Sequence, residues 1–218
     1  MIKGALFDMD GVLVDNTAAH TEAFAIFCER YGVTEWREKL AQSYGMGNDD
    51  ILRRLLPAAT IRDHGVAALT DEKEAIYREL YAPQMQPVAG LRELLEQLHT
   101  AGIRCAVGSS GPADNVRMVL EGCHIADYFE FRVSGDRVTH CKPDPEIYLT
   151  AAAGIELSPA ECVVFEDAPA GIESARRAGV GRIVTLATSF SSDELREIAP
   201  ERIIHDFTEI ADLKDLLK

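Results

Sequence analysis

The sequence is poor in basic residues and has no paired pattern of cysteines. Its 218 residues include 22 lysines and arginines against 36 aspartates and glutamates, which gives a formal net charge of −14 at pH 7. Nonspecific binding to nucleic acid needs a basic footprint, so we expect no nucleic-acid partner. The five cysteines are odd in number, scattered and never at C-x-x-C spacing. That pattern predicts reduced thiols in a cytoplasmic protein and argues against a zinc site.

The sequence also lacks a long apolar run, an internal repeat and a low-complexity segment. A membrane-spanning helix needs about 20 consecutive apolar residues, so we expect no membrane association. Residues 1–4 lead directly into an apolar run, without the charged segment and long apolar core of a secretory signal. The length suffices for one large core, or for a core with a smaller satellite.

What the sequence does contain begins with residues 2–8, an apolar run that ends in carboxylates. Side chains two positions apart leave a strand on the same side, so Asp8 and Asp10 are predicted to face one point. Two close carboxylates repel each other unless a cation or proton lies between them, and Mg²⁺ prefers such oxygen ligands. Gly11 permits a sharp turn after the strand, where backbone amides can face an anion. The alternative is an ordinary strand followed by an Asp-Gly turn.

Three later segments place further polar groups in similar contexts. A second apolar run ends before Ser109 and Ser110, and the helical pattern that follows offers N-terminal amides to an anion. Lys142 precedes a proline-marked helix start, where a fixed ammonium can neutralise phosphate charge. A third apolar run ends in Glu166 and Asp167. Each segment also has a structural interpretation: a helix cap, a solvated lysine, or acids that favour a helix N-terminus.

In the order Asp-x-Asp, Ser, Lys and Glu-Asp, these segments resemble the four motifs of the haloacid dehalogenase superfamily, over residues 5–180. The second aspartate of the first motif implies the phosphotransferases of the superfamily and not its dehalogenases. The resemblance implies an α/β fold, in which a Rossmann-like, doubly wound parallel sheet carries an all-helical cap after the first strand, as in the β-phosphoglucomutase-like subgroup. It also implies a monomer whose partner is a small phosphorylated metabolite.

The predicted elements agree with this architecture. Helical patterns without an intervening strand extend from the first strand to a break with two prolines and a glycine at residues 81–90. Beyond the break, strands and helices alternate, which predicts a parallel sheet covered on both faces. The predicted domains are a catalytic core over 1–14 and 86–218, a cap over 15–82 and a hinge over 83–85. The predicted strands are 2–8, 103–108, 129–133, 162–165 and 182–186, and the predicted helices are 17–31, 35–43, 48–57, 71–82, 89–100, 112–122, 144–153, 169–178 and 207–217, with capping boxes at 158–161 and 191–194.

The resemblance implies a mechanism of phosphoryl transfer to a carboxylate. Asp8 would attack the phosphorus, form an aspartyl-phosphate and bind Mg²⁺ through its other oxygen. Asp10 would protonate the leaving alcohol and then activate water, while its backbone carbonyl ligates the metal.

The other motif residues would hold the substrate and the metal. Ser109 and Lys142 would bind the transferring oxygens, and Ser110 is the alternative phosphate contact. Asp167 would complete the metal site, which Glu166 would join either as a ligand or through metal-bound water. The cysteine before Lys142 raises the hypothesis of a lowered thiol pKa, although a small buried residue is the favoured interpretation.

Cap residues would select the substrate. His20 matches a histidine that touches the acid/base aspartate when the cap closes, and Lys73 matches a substrate-facing lysine. The alternatives are a surface or core histidine and a solvated lysine. Gly45 corresponds to the hinge-like glycine of the specificity loop. Asn48 stands where mutases carry an arginine that grips a second phosphate, and a neutral amide cannot replace that guanidinium.

These observations predict a Mg²⁺-dependent phosphatase that hydrolyses small phosphorylated metabolites, chiefly sugar phosphates, through an aspartyl-phosphate. Residues 111–113 favour water as the final acceptor, because mutases tend to have polar or basic residues there. The first alternative is a β-phosphoglucomutase-like phosphohexomutase. An inorganic pyrophosphatase and a module that binds a phosphorylated metabolite without turnover are further alternatives.

Overall fold

One parallel sheet forms the centre of the molecule, in a computed structural model that describes residues 1–198 and 201–217. The predicted core also contains residues 199, 200 and 218, which lie outside this range. The strands are β1 Gly4–Phe7, β2 Arg104–Gly108, β3 Phe131–Val133, β4 Cys162–Glu166, β5 Arg182–Leu186 and β6 Ile203–Ile204. Their order across the sheet, β3-β2-β1-β4-β5-β6, is that of a doubly wound fold, so the predicted α/β class is confirmed.

Helices connect the strands and form a helical insert between β1 and β2. The insert region contains α1 Thr17–Arg30, α2 Arg37–Ala41, α3 Asn48–Leu55, α4 Ala58–His64, α5 Val66–Tyr81 and α6 Leu91–Thr100. The later helices are α7 Ala113–Gly122, α8 Glu146–Gly154, α9 Pro169–Ala178, α10 Ser192–Ile198 and α11 Lys214–Leu217. Among the described residues, no helix is both long and apolar enough to cross a membrane.

Both faces of the sheet are buried. Along β1, Ala5 and Phe7 belong to one apolar cluster and Leu6 belongs to another. Successive side chains of a strand point to opposite faces, so this division means that apolar layers cover the sheet on both sides. Because both faces are buried, the strands appear in the sequence as continuous apolar runs.

The strand register brings the predicted motifs to one edge. Phe7, the last residue of β1, pairs with Val107 of β2 on one side and with Phe165 of β4 on the other. The residues that follow these strands therefore emerge side by side at the carboxyl edge of the sheet. In open α/β sheets, ligands bind outside this edge.

Two elements of the structure were not predicted, and one predicted helix is wrong in detail. Helix α4 is absent from the prediction because none of its residues is buried, so it has no apolar stripe to detect. Strand β6 is two residues long, which is too short to show alternation. In place of the predicted helix 207–217, the structure has a 3₁₀ turn followed by α11. The Asp206 and Asp212 side chains each accept a hydrogen bond from the backbone amide two residues later, and so start separate turns. Both predicted capping boxes are present, with Glu161 and Glu194 accepting from the serines three residues before them.

Candidate active site

Asp8 directly follows β1 and lies at the sheet edge. Its amide donates to the carbonyl of Phe165 at 3.0 Å, and its side chain is buried. Gly11 turns the chain with φ +75°, and a Cβ there would collide with the Asp167 carboxylate. The turn therefore needs glycine both for its backbone and for space. The Gly11 amide itself donates to the Val14 carbonyl at 2.8 Å, so Gly11 shapes the turn and offers no free amide of its own.

Lys142 forms a buried double ion pair beneath the edge. Its Nζ lies 2.5 Å from Asp8 Oδ1 and 2.7 Å from Glu166 Oε1, and its side chain is 0% exposed. Tyr148 donates its hydroxyl to the same Glu166 oxygen at 2.7 Å, and the Lys142 ammonium lies 4.7 Å from the centre of its ring. A lysine held on several sides is a fixed positive charge beside Asp8.

Asp8, Glu166 and Asp167 form a buried carboxylate cluster, with one oxygen of each lying within 4.8 Å of the others. Burial raises the pKa of Asp8 to about 7; Lys142 opposes this rise, and Glu166 and Asp10 add to it. Burial, together with the charges of Glu166 and Asp8, raises the pKa of Asp167 well above its ordinary value. Three carboxylates share one ammonium, and all their donor atoms are oxygens. The donor set therefore fits a hard divalent cation such as Mg²⁺.

Glu166 differs from Asp167 because both of its oxygens already have protein partners. Oε1 accepts from Lys142 and Tyr148, while Oε2 accepts from the amides of Asp167 and Ala168 at 2.9 and 3.2 Å. This arrangement favours Glu166 as a group that orients its neighbours or binds through water, and it favours Asp167 as a direct ligand.

The two serines after β2 have different positions. Ser109 is fully buried, and its Oγ accepts from the Gly111 amide at 2.9 Å. Ser110 lines the cavity above the sheet edge and donates to the Gly45 carbonyl at 2.8 Å. Gly45, with φ +83°, lies in the loop before α3, where a Cβ would come 3.0 Å from the Cβ of Ala168. The Ser110–Gly45 bond thus joins the helical insert to the core beside the cavity.

On the insert side of the cavity, His20 lies between α5 and Asp10. Its ring stacks on Tyr77 with 3.7 Å between centroids, and its Nδ1 lies 3.1 Å from Lys73 Nζ. An ammonium can only donate, so Nδ1 accepts and a neutral His20 carries its proton on Nε2. That nitrogen lies 3.5 Å from Asp10 Oδ1. Lys73 is 2% exposed, and its interpretation as a solvated helix lysine is therefore wrong.

Asp10 is held by Asn16, the residue that precedes α1. Asn16 donates from Nδ2 to Asp10 Oδ1 at 2.6 Å, and also to the Tyr77 hydroxyl at 2.6 Å. Burial disfavours the ionised form of Asp10, but the nearby His20 and the hydrogen bond from Asn16 to Asp10 outweigh burial and lower the pKa of Asp10. Asp10 is thus an oriented, ionised carboxylate at neutral pH.

Two adjoining cavities lie between insert and core. The inner one has a volume of about 70 Å³, enough for a few waters or a phosphoryl group but not for a sugar. The outer one measures about 620 Å³, and both are lined by Asn48 and Ser110. The predicted site residues that line the inner cavity are Asp8, Asp10, His20, Gly45, Asn48, Lys73, Ser110 and Asp167. The insert is therefore closed over the site.

Several site residues lie outside the sequence motifs. Asn16 and Tyr148 belong to none of the four motifs. Asn16 occupies the N-cap position of a predicted helix, where an asparagine ordinarily has a structural role. Ser189 lies after β5, where its hydrogen bond favours the ionised form of Asp167. The predicted end of the fifth strand at residue 186 was the available signal for Ser189, because ligands bind at the carboxyl ends of parallel strands. For Cys141, burial raises the pKa to about 11, so the hypothesis of a lowered thiol pKa is wrong.

Glu74 is the buried anion of the insert and allows a test by pH. Burial raises its pKa, but Lys73, His20 and Asn115 outweigh burial and hold it at about 2. A depressed folded-state pKa stabilises the fold above pH 4.5, and this stabilisation is lost as pH falls towards 2. We expect Glu74→Gln to lower the free energy of unfolding at pH 7. Between pH 7 and pH 3, the difference in the free energy of unfolding between wild type and variant should shrink by on the order of 2 kcal/mol.

Urea unfolding over that pH range measures the effect. Glu79→Gln is the matched control, because Glu79 is exposed on the same helix. A gap between wild type and Glu74→Gln that stays constant from pH 7 to pH 3 would contradict an ionised, stabilising Glu74.

Comparison with known proteins gives consistent matches. The sequence model described as haloacid dehalogenase-like hydrolase matches residues 5–185. A phosphorylated carbohydrates phosphatase of Thermotoga maritima is 30% identical over 219 residues, covering 96% of this chain and 100% of that protein. A β-phosphoglucomutase of Bacillus subtilis is 29% identical over 187 residues, covering 82% of this chain and 81% of that protein.

Among solved structures, CbbY from Rhodobacter sphaeroides in complex with phosphate superposes with a TM-score of 0.82 at 25% identity. The match covers 99% of both chains. The similarity thus includes the sheet and the helical insert together.

Proposed function

Because this chain belongs to the haloacid dehalogenase-like hydrolase family and is one of its phosphatases, we propose that it hydrolyses small phosphorylated metabolites, chiefly sugar phosphates. The observation that carries the proposal is Asp8, buried at the end of β1 and 2.5 Å from the Lys142 ammonium. A fixed carboxylate beside a fixed cation suits attack on an anionic phosphoryl group. The Thermotoga maritima relative named for phosphorylated carbohydrates supports the substrate class.

We propose two chemical steps. Asp8 attacks the phosphorus in line, an aspartyl-phosphate forms, and the bond to the leaving alkoxide breaks as Asp10 donates a proton to it. A water then gives a proton to Asp10 and attacks the aspartyl-phosphate, which releases phosphate and restores Asp8. The phosphate charge next to Asp10 raises its pKa when substrate binds, and so favours the protonated form that the first step needs. Lys142 balances the charge around Asp8 in both steps.

The family typically uses Mg²⁺, and the buried cluster of Asp8, Glu166 and Asp167 fits this ion. We propose that Asp8 and Asp167 hold it directly, together with the backbone carbonyl of Asp10, and that Glu166 acts through bound water. When bound, the ion neutralises charge on the transferring phosphoryl oxygens.

Water is the proposed acceptor, in preference to a second sugar hydroxyl, because the outer cavity suits a second phosphate poorly. Asn48 offers it only a neutral amide. Carboxylates outnumber guanidinium groups along the wall, which contains Asp49, Asp50, Asp136 and Asp144 against Arg53 and Arg177. A second phosphate would meet net repulsion there. Because the chain is also similar to a β-phosphoglucomutase, mutase activity is the alternative function.

Phosphate release tests the proposal. With Mg²⁺ and a panel of sugar phosphates, nucleotides and pyrophosphate, we expect sugar phosphates to be hydrolysed fastest, activity to stop with EDTA, and excess Mg²⁺ to restore it. Faster hydrolysis of pyrophosphate than of any sugar phosphate would mean that the protein is a pyrophosphatase. Binding without turnover would indicate a regulatory module. Isomerisation of β-glucose 1-phosphate with a glucose 1,6-bisphosphate primer, without stoichiometric phosphate release, would establish the mutase.

A further inference from the structure

Asn115 on α7 joins the core to helix α5 of the insert through both ends of its amide. Its Nδ2 donates to Glu74 Oε2 at 2.6 Å, and its Oδ1 accepts from Arg78 NH1 at 2.9 Å. Asn115 is 0% exposed and Glu74 is 2% exposed, so the bond between them is shielded from water, while the bond to Arg78 is partly buried. A buried amide that uses its donor and its acceptor on one partner helix has a defined orientation.

The contacts of Asn115 continue towards the site. The second Glu74 oxygen, Oε1, accepts from Lys73 Nζ at 2.7 Å, and the same ammonium lies 3.1 Å from His20 Nδ1. The opposite nitrogen of His20 faces Asp10 at 3.5 Å. Every link in this series is a polar contact between side chains, and all but the last are hydrogen bonds.

The other side-chain hydrogen bonds between insert and core in the described structure do not include a partner of Lys73. Ser110 binds the backbone of Gly45, Asn16 binds Asp10, and Thr17 binds Ser189. Asn115 is the core side chain that hydrogen-bonds the carboxylate partner of Lys73, whereas Asp10 reaches the same ammonium through His20 and a longer contact of 3.5 Å. Without Asn115, Glu74 would keep Lys73 but would lose its hydrogen bond to the core.

We propose that Asn115 is a positioning residue for protonation of the leaving group. It fixes Glu74 against the core when the insert is closed, Glu74 fixes Lys73, and Lys73 in turn holds the His20 ring that faces the general acid. The proposal rests on the proposed phosphatase function. It adds to that function a residue outside the four motifs, on a core helix that contributes no side chain to the inner cavity.

The test uses two substrates that differ in their need for an acid. A sugar alkoxide needs a proton to leave, whereas nitrophenolate leaves without one, and kcat/KM includes the leaving-group step but not the later attack of water. For Asn115→Ala we expect kcat/KM to fall about 30- to 100-fold with the best sugar phosphate of the panel, and no more than about threefold with p-nitrophenyl phosphate. Asp114→Asn, an exposed neighbour on α7, serves as the control and should match wild type.

An exchanged pair separates positioning from folding. Asn115→Asp keeps the acceptor for Arg78 but places two carboxylates together, so we expect the same selective loss. In the double variant Glu74→Gln with Asn115→Asp, the amide introduced on α5 can donate to the carboxylate introduced on α7, and its oxygen can still accept from Lys73. We expect this double variant to recover kcat/KM to within about fivefold of wild type.

Equal losses with both substrates, or no recovery in a folded double variant, would overturn the role of Asn115 while leaving the phosphatase function intact. A wild-type protein that releases phosphate from neither substrate would remove both proposals together.

Discussion

We expect the Asp8→Asn variant to lose phosphate release by a factor of at least about 10⁴. Asparagine has nearly the same shape but no charged oxygen to attack phosphorus, so no aspartyl-phosphate can form. The fold should persist, because the substitution removes one of three clustered carboxylates while the Lys142 ammonium keeps Glu166 as its partner. The measurement is phosphate release by wild type and variant with the best substrate of the panel.

Two controls identify Asp8 as the nucleophile. Asp15→Asn changes an exposed aspartate close by in sequence and should leave the rate unchanged. After rapid acid quenching with a radiolabelled substrate, wild type should retain label on Asp8 and Asp8→Asn should retain none. Turnover by Asp8→Asn within about tenfold of wild type would exclude covalent catalysis by this residue.

The core edge was predictable because each of its residues follows a local signal. Asp8, Ser109 and Glu166 all stand at or directly after the end of an apolar run, and parallel strands bring such ends together. The sheet is confirmed, and with it the placement of Asp8, Lys142 and Asp167 in one region. Their catalytic and metal-binding roles stay predictions that the variants test.

The network of the insert was not predictable for the opposite reason. Asn115 lies 41 positions from Glu74 and 37 from Arg78, and their contacts depend on how α5 docks against α7. Nothing in the local pattern distinguishes the buried Lys73 from a solvated lysine, since a long polar side chain on a helix fits either. Docking of one helix on another is a tertiary property, and one sequence provides no comparison from which to infer it.

Charge links the two parts of the site. A chain with a net charge of −14 repels anionic substrates at long range, so local cations must compensate at the site. In the core, Lys142 supplies one such charge to Asp8 and Glu166; in the insert, Lys73 supplies another to Glu74. Both ammonium groups are buried and paired with carboxylates, so their positions are defined by electrostatics as well as by packing.

Lys142→Met should therefore have a large effect on both stability and activity. Removal of the ammonium leaves Asp8, Glu166 and Asp167 buried together without a cation, and breaking a buried ion pair in this way costs about 3–5 kcal/mol. Activity should fall at least about 10³-fold, because the pKa of Asp8 rises further and the fixed charge beside it is lost. Urea unfolding and phosphate release measure the two effects. Lys3→Met, at an exposed ion pair with Glu161, is the control and should change stability by less than about 0.5 kcal/mol.

A second substitution separates the two roles of Lys142. Adding Glu166→Gln to Lys142→Met removes one of the uncompensated charges. The oxygen of the new side-chain amide can still accept from the backbone amides of Asp167 and Ala168, while its nitrogen donates to the Tyr148 hydroxyl oxygen. We expect the double variant to regain about half of the lost stability and almost none of the lost activity. Activity that returned together with stability would mean that Lys142 acts only through the fold, whereas the expected separation would show that its charge beside Asp8 is needed for the chemistry.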